Sequence, residues 1–303
     1  MTTIECRPDG GMPVRCSDWT QTNHVDPVGS AGRADTIVLV ETPGPWPADI
    51  KTMPVFASEL GRFTTVLATE VTVQDPERAL VTIYRRRSLS ELVGTDHLVD
   101  RSSLVDVLPR LLNEDEFESG DPAPFDVLVC GHGRRDRCCG KLGVKLQMVA
   151  QTKWPAVRIR RSSHLGGHRF APTCLTPHDG RMWAHMDETV LGAVIEGSWL
   201  DADARRYYRG SNALDPWEQS AEREIALHVG TSWVDCVLDD VHSEVDGDAR
   251  WHVSMSWHGP HGNSRAVATV AAGRVVPTPV CGEPIESATK SSREFSVVSL
   301  DVG

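Results

Sequence analysis

The stretch that most constrains the fold runs from residue 125 to residue 153. Residues 125–129 (FDVLV) form a short apolar run, long enough for a strand and too short for a helix. The run ends on Cys130 and opens into the box Cys130-Gly-His132-Gly-Arg-Arg135-Asp136-Arg-Cys138-Cys139-Gly140. Residues 141–153 then carry a helical pattern, with Leu142, Val144, Leu146, Met148 and Val149 apolar. A loop between a strand end and a helix start lies at the edge of an open α/β sheet where ligands bind.

The surrounding elements extend this pattern. Residues 156–159 read as a second strand. Residues 170–175 and 181–186 read as a hairpin around His178-Asp179-Gly180, because Asp-Gly is a strong turn signal. Residues 188–196 read as a helix. Strand, helix, strand, two antiparallel strands and helix is the thioredoxin order. Upstream, the first 35 residues are rich in Gly, Pro, Asp and Thr and are expected to run irregularly. Residues 35–41 form a buried strand stopped by Pro43-Gly44-Pro45, 63–68 and 79–84 are further strands, and 104–112 has helical spacing. The segment 118–124 reads as a linker. Downstream, 215–228 is a helix with Asp215 as N-cap and Pro216 in its first turn. The tail alternates like a β meander, most clearly over 251–257 and 266–276. The expected fold is therefore α/β: an N-terminal α/β domain over 1–120, a thioredoxin-like domain over 121–230 and a β-rich C-terminal extension over 231–303.

Composition excludes several classes. Hydrophobic residues make up 40% and charged residues 24%, a globular balance. No apolar run approaches the roughly 20 residues of a membrane helix, and no basic stretch with an apolar core marks a secretory signal. A cytoplasmic protein without membrane attachment is expected. The net charge of −11 argues against general nucleic-acid binding. That charge is uneven: residues 130–169 hold ten Lys and Arg with Asp136 as the only acid, so this segment is +9 and the remainder −20. Eight cysteines are too sparse for a disulfide scaffold, and only Cys130, Cys138 and Cys139 cluster. Cys6, Cys16, Cys174, Cys236 and Cys281 show no partner pattern and read as structural, although Cys281, in a turn, has a route to the site.

A second box, Ser163-His164-Leu165-Gly166-Gly167-His168, follows the second strand. Paired glycines disfavour a regular helix, so the loop is expected to fold both imidazoles around one centre. Sulfur and imidazole donors suit zinc or an iron–sulfur cluster. Structural zinc sites usually space their cysteines by two to four residues. The wider gap between Cys130 and Cys139 suits a larger, binuclear object. By spacing alone, either Cys138 or Cys139 could be the ligand.

The pattern Cys-x-His-x-x-Arg-Asp-x-x-Cys-Gly followed by His-x-Gly-Gly-His resembles the sucrase/ferredoxin-like family, relatives of the thioredoxin-like 2Fe–2S ferredoxins. Cys130, His132, Arg135, Asp136, Cys139, Gly140, His164, Gly166, Gly167 and His168 carry the match. Pro43-Gly44-Pro45-Trp46, Tyr208-Arg209-Gly210, Pro216 and Gln219 support it. The resemblance implies one 2Fe–2S cluster, with Cys130 and Cys139 on one iron and His164 and His168 on the other. His132, Arg135, Asp136, Cys138, Gly166 and Gly167 would surround the ligands, His132 by hydrogen-bonding a sulfur. No pair of acids stands out for glycoside hydrolysis.

The implied function is one-electron transfer between a reductase, flavin- or NADPH-dependent, and an acceptor the sequence does not name. Histidine in place of thiolate should raise the potential. A histidine whose second ring nitrogen meets water would couple the potential to pH. The competing readings are a zinc-stabilised Cys2His2 binding module and a thiol oxidoreductase using Cys138 or Cys139. The lack of Cys-x-x-Cys counts against the latter.

Overall fold

The strand and helix signals resolve into a mixed α/β architecture. The computed structural model describes residues 15–57, 61–112, 119–201, 203–247 and 249–303. Cys6 and Glu118, the first residue of the expected linker, lie outside the described residues. The strands are β1 Thr36–Glu41, β2 Thr64–Thr69, β3 Arg78–Ser88, β4 Glu91–Asp100, β5 Asp121–Pro122, β6 Asp126–Cys130, β7 Arg158–Ser162, β8 Cys174–Thr176, β9 Arg181–Trp183, β10 Tyr208–Ser211, β11 Val237–Asp246, β12 Arg250–Gly259, β13 Gly262–Pro277 and β14 Ser291–Val302. The helices are α1 Cys16–Thr22, α2 Leu104–Leu111, α3 Val144–Lys153, α4 Glu188–Ile195, α5 Ala204–Tyr207 and α6 Pro216–Val229.

Strands β1 to β10 form one sheet in the order β10-β9-β8-β6-β7-β2-β1-β3-β4-β5. Within it β6 and β7 are parallel, joined through α3, and β8 runs antiparallel to both β6 and β9. The sheet crosses the expected boundary at residue 120 without a break. Its two blocks meet at β2 and β7, where Thr69 pairs with Ser162. Glu70 N–H bonds the Arg161 carbonyl at 3.0 Å and Ser163 N–H the Ala68 carbonyl at 2.7 Å, extending that seam.

Asp126, fully buried at the start of β6, organises the far end of the same strands. It accepts from Arg158 Nε at 2.7 Å, Arg160 Nη2 at 2.5 Å and the Tyr84 hydroxyl at 2.5 Å. Asp96 on β4 takes the other face of the Arg158 guanidinium. A buried carboxylate needs such partners to remain charged. Two of the ten basic residues of segment 130–169 are therefore structural. Their guanidiniums meet at Asp126, which begins the five-residue strand that Cys130 ends.

Several local expectations needed correction: the strands expected over 170–175 and 181–186 shrink to Cys174–Thr176 and Arg181–Trp183, and residues 121–122 of the expected linker pair with β4. The first 35 residues are not wholly irregular: α1 docks on the loop after β7, with Ser17 and Thr20 hydroxyls donating to the Ala171 and Arg169 carbonyls. Strand β4 went unpredicted because Gly94, Thr95, Asp96 and His97 interrupt its apolar residues, leaving no run to read.

Strands β11 to β14 form a four-stranded antiparallel meander. It packs on α6, which starts where expected: Pro216 is its first residue, and Glu218 accepts from Asp215 N–H at 2.8 Å. Trp217 stacks on Trp251 at 5.0 Å. Val127, Trp183, Ile225, Val253, Met255 and Val270 belong to one continuous core, so the meander shares its interior with the large sheet. No helix among the described residues is long and apolar enough to cross a membrane.

Candidate metal centre

Strand β6 is buried along its whole length and delivers Cys130 to the sheet's carboxyl edge. The chain then turns, and Asp136 caps the next helix: its Oδ1 accepts from Cys138 N–H at 2.8 Å and Cys139 N–H at 3.2 Å. Residues Cys139–Gly143 form a single wide π-type turn before α3, a distortion frequent at functional sites. Gly143 permits this packing, since a Cβ there would lie 1.9 Å from the Cys130 carbonyl oxygen. On the neighbouring strand, β7 ends and the second box begins. Gly167 takes φ +65°, and a Cβ on it would meet the Arg209 guanidinium carbon at 2.6 Å. That space and backbone freedom let the loop fold back, as the paired glycines suggested.

The structure brings Cys130, Cys139 and His164 together, with their donor atoms all within 4.8 Å of one another. Cys130 Sγ lies 3.9 Å from His164 Nδ1. His168 stands beside this group rather than in it: its ring centroid is 5.8 Å from that of His164, tilted by 32°. His168 Nε2 lies 2.9 Å from the Pro279 carbonyl oxygen. A carbonyl can only accept, so Nε2 donates, the outer hydrogen bond usual for a ligating histidine. The Cys130 thiol is acidified by hydrogen bonding from Cys139, with His164 adding to the effect, and the Cys139 thiol is pushed up as the donor of that pair.

Arg209 lies behind the pair, fully buried. Its guanidinium donates to the Ser30 hydroxyl and carbonyl and, at 3.3 Å, to the Gly166 carbonyl. Burial lowers its pKa to about 10, and the negative groups opposing that shift are Cys130 and Cys139. A buried cation whose hydrogen-bond acceptors are neutral is held best by negative charge on those sulfurs.

The remaining residues of the two boxes fall in different places. His132 does not hydrogen-bond a sulfur. Its Nε2 bonds the Pro47 carbonyl at 2.8 Å, its ring meets Trp46 edge-on, and burial lowers its pKa. His132, Arg135 and His164 line a cleft of about 750 Å³ that Lys51 and Arg62 also border. Gly166 and Gly167 shape the histidine loop. Cys138 turns away from Cys139 and joins Cys16, Cys281 and Asp136. Its thiol is lowered to about 6 by the hydrogen bond from Cys16. Cys16 and Cys281, read as structural thiols, thus have partners after all. Arg209 and Trp46, quoted only as supporting residues, hold the histidine loop and His132. No local spacing could have exposed these contacts, because each joins segments far apart in the chain.

The donor set fits the cluster that the resemblance implies. Two buried thiols, one facing imidazole and a second imidazole with its outer nitrogen already bonded are soft and borderline donors of the type iron–sulfur centres take. The Arg209 guanidinium behind the sulfurs suits a group that gains negative charge on reduction.

Comparison with known proteins identifies the family of the chain. Over residues 27–210, more than half of the chain, the sequence matches the family model described as Sucrase/ferredoxin-like. A relative from Kluyveromyces lactis named "Altered inheritance of mitochondria protein 32" is 29% identical over 112 residues, 37% of this chain and 32% of that protein. A protein of the same name from Meyerozyma guilliermondii is 37% identical over 62 residues, 18% of this chain and 22% of its own length. The matches thus span about a third or less of these relatives. No solved structure matches the chain. The chain belongs to the sucrase/ferredoxin-like family.

Proposed function

We propose that the protein is a one-electron carrier with a single 2Fe–2S cluster held by Cys130, Cys139, His164 and His168. The observation that carries this reading is the convergence of two sulfurs and an imidazole nitrogen within 4.8 Å in a buried pocket at the end of β6. The cluster-bearing unit is residues 121–230. The order β9-β8-β6-β7, with β8 antiparallel to the others, supports a thioredoxin-like arrangement there.

When bound, the cluster supplies a site that accepts and returns one electron. The chain's own groups set its conditions. Cys130 and Cys139 provide two thiolates, and the histidines provide neutral donors, which favours a higher potential than four thiolates would. Arg209 stabilises added negative charge from the buried side. His164 lines the cleft, and a histidine ligand whose second ring nitrogen meets water would make the potential fall as pH rises. The cleft bordered by Lys51, Arg62 and Arg135 suits docking of an acidic redox partner, for which a flavin- or NADPH-dependent reductase and a separate acceptor are proposed. A cytoplasmic location is part of the same reading.

The test is anaerobic purification of the full chain. Red-brown protein with iron and acid-labile sulfide in equal amounts is expected. Colourless protein carrying zinc on these four residues would overturn the proposal and favour a zinc-stabilised module.

A further inference from the structure

Beside the Cys130 group lies a second cluster of donors that the electron-carrier reading does not use. Cys16 opens α1, Cys138 sits at the helix start within the first box, and Cys281 lies in the turn between β13 and β14. Their sulfurs and an Asp136 oxygen all lie within 4.8 Å of one another. Cys16 Sγ is 3.6 Å from Cys138 Sγ, and Cys138 Sγ is 2.9 Å from Cys281 Sγ. Cys16, Cys138 and Asp136 are buried, and Cys281 is partly exposed.

We infer that Cys16, Cys138, Cys281 and Asp136 form a second metal site, which binds one zinc ion. Three thiolates select a soft or borderline ion. Zinc prefers four ligands in a tetrahedron, and sulfurs bound to one zinc at about 2.3 Å lie roughly 3.8 Å apart. The Cys16–Cys138 separation already matches that spacing. Cys281 must retreat by about 1 Å from Cys138 to meet it. Cys281 is only partly buried in the turn that carries it, beside Gly282 at φ +91°. Asp136 Oδ1 is already engaged with two backbone N–H groups, which fixes the carboxylate in place and leaves Oδ2 to complete the tetrahedron.

The surroundings fit an anionic complex. A cleft of about 220 Å³ reaches the site from the surface, lined by Arg15, Arg137 and Lys141 as well as Cys138 and Cys281. Three thiolates and a carboxylate around a divalent ion leave a net negative charge, which these three cations offset. A disulfide between Cys138 and Cys281 would use two of the sulfurs and leave the buried Cys16 thiol unused. Zinc uses all four donors. It also ties three separate segments together: α1, the helix start beneath the cluster ligands and the turn that presents Pro279 to His168.

This inference goes beyond the electron-carrier reading, and the two can fail separately. Zinc and iron are measured on the same full-length protein, purified anaerobically without chelators. Stoichiometric zinc is expected, with zinc-edge absorption showing three sulfurs at about 2.3 Å. Cys16→Ser and Cys281→Ser should each weaken zinc retention against a competing chelator at least tenfold and leave iron unchanged. Cys130→Ser should do the reverse. If both variants fold poorly, the zinc-edge spectrum of the unaltered protein decides. The proposal is overturned if zinc chloride added to the reduced, metal-free chain does not bind. It is also overturned if zinc leaves with Cys130→Ser but not with Cys16→Ser, or if peptide mapping finds a Cys138–Cys281 disulfide in the native protein.

Discussion

Cys138 and Cys139 are consecutive residues of one helix start, yet they serve different sulfur groups. Neighbouring side chains leave a helix about 100° apart, so Cys139 turns to Cys130 and His164 while Cys138 turns to Cys16 and Cys281. The first group mixes sulfur with imidazole and is backed by the buried Arg209. The second offers sulfur and a carboxylate and opens to a cleft lined by Arg15, Arg137 and Lys141. Nitrogen donors and a fixed cation suit a centre whose charge changes by one electron. A thiolate-rich, cation-edged group suits an ion of constant charge. Asp136 caps the backbone beneath both, so one carboxylate holds the two sulfur groups in register.

Exchanging the partners should separate the two groups most sharply. Cys139→Ser is expected to abolish the visible spectrum, whereas Cys138→Ser should leave it nearly intact and lower zinc; the opposite pattern would shift the ligand assignment by one residue. Alkylation of the metal-free protein at pH 7 should modify Cys138, which lines a surface cleft, faster than Cys139, read by peptide mass spectrometry. Only the thiolate reacts. Since the Cys138 thiol is lowered to about 6, its rate should hold near neutrality and fall about tenfold per unit below pH 6. Equal rates at both residues would erase the contrast.

Smaller effects test the electrostatics. His164→Cys or His168→Cys adds negative charge and should lower the potential by on the order of 100 mV while weakening its pH dependence. A wild-type potential that is flat from about pH 6 to 9 and equal to that of both variants would remove the histidines from the ligand set. Arg209→Gln should lower the potential by about 60 mV, a tenfold step for a one-electron couple. Arg137→Gln, beside the other group, should change it far less, and equal shifts would show that both act only through net charge. Asp136→Ala removes a helix cap and should cost about 1 kcal/mol in chemical denaturation, with metal content falling at both groups. Loss at only one group would show that the cap is not shared.

The ligand boxes were legible because each lies within a few residues of a strand end, where spacing and geometry correspond. The β6–α3–β7 order, the Asp215 start of α6 and the meander strands β12 and β13 followed from runs and caps in the same way. The fourth strand was hidden because a polar centre broke its pattern. The second sulfur group was hidden for another reason: residues 16, 138 and 281 are joined only by the folded chain, and no local period encodes that meeting. The basic segment misled in part. Arg158 and Arg160 answer to Asp126, and charge counting along the sequence cannot distinguish a buried ion pair from a field at a metal centre.

The positions of these ligands along the chain set an order in time. Synthesis proceeds from the N-terminus at about 5–20 residues per second, so Cys281 emerges on the order of 10 s after His168. For that interval the nascent chain holds every member of the Cys130 group, while Cys138 and Cys16 await their third sulfur. The donors of the first centre are thus all present before those of the second, although Pro279, which bonds His168, emerges only with Cys281, and Cys138 passes through a period of exposure to any oxidant or stray metal. Pulse alkylation of stalled nascent chains would show it, as strong Cys138 labelling in chains ending before residue 281 and weak labelling in the finished protein.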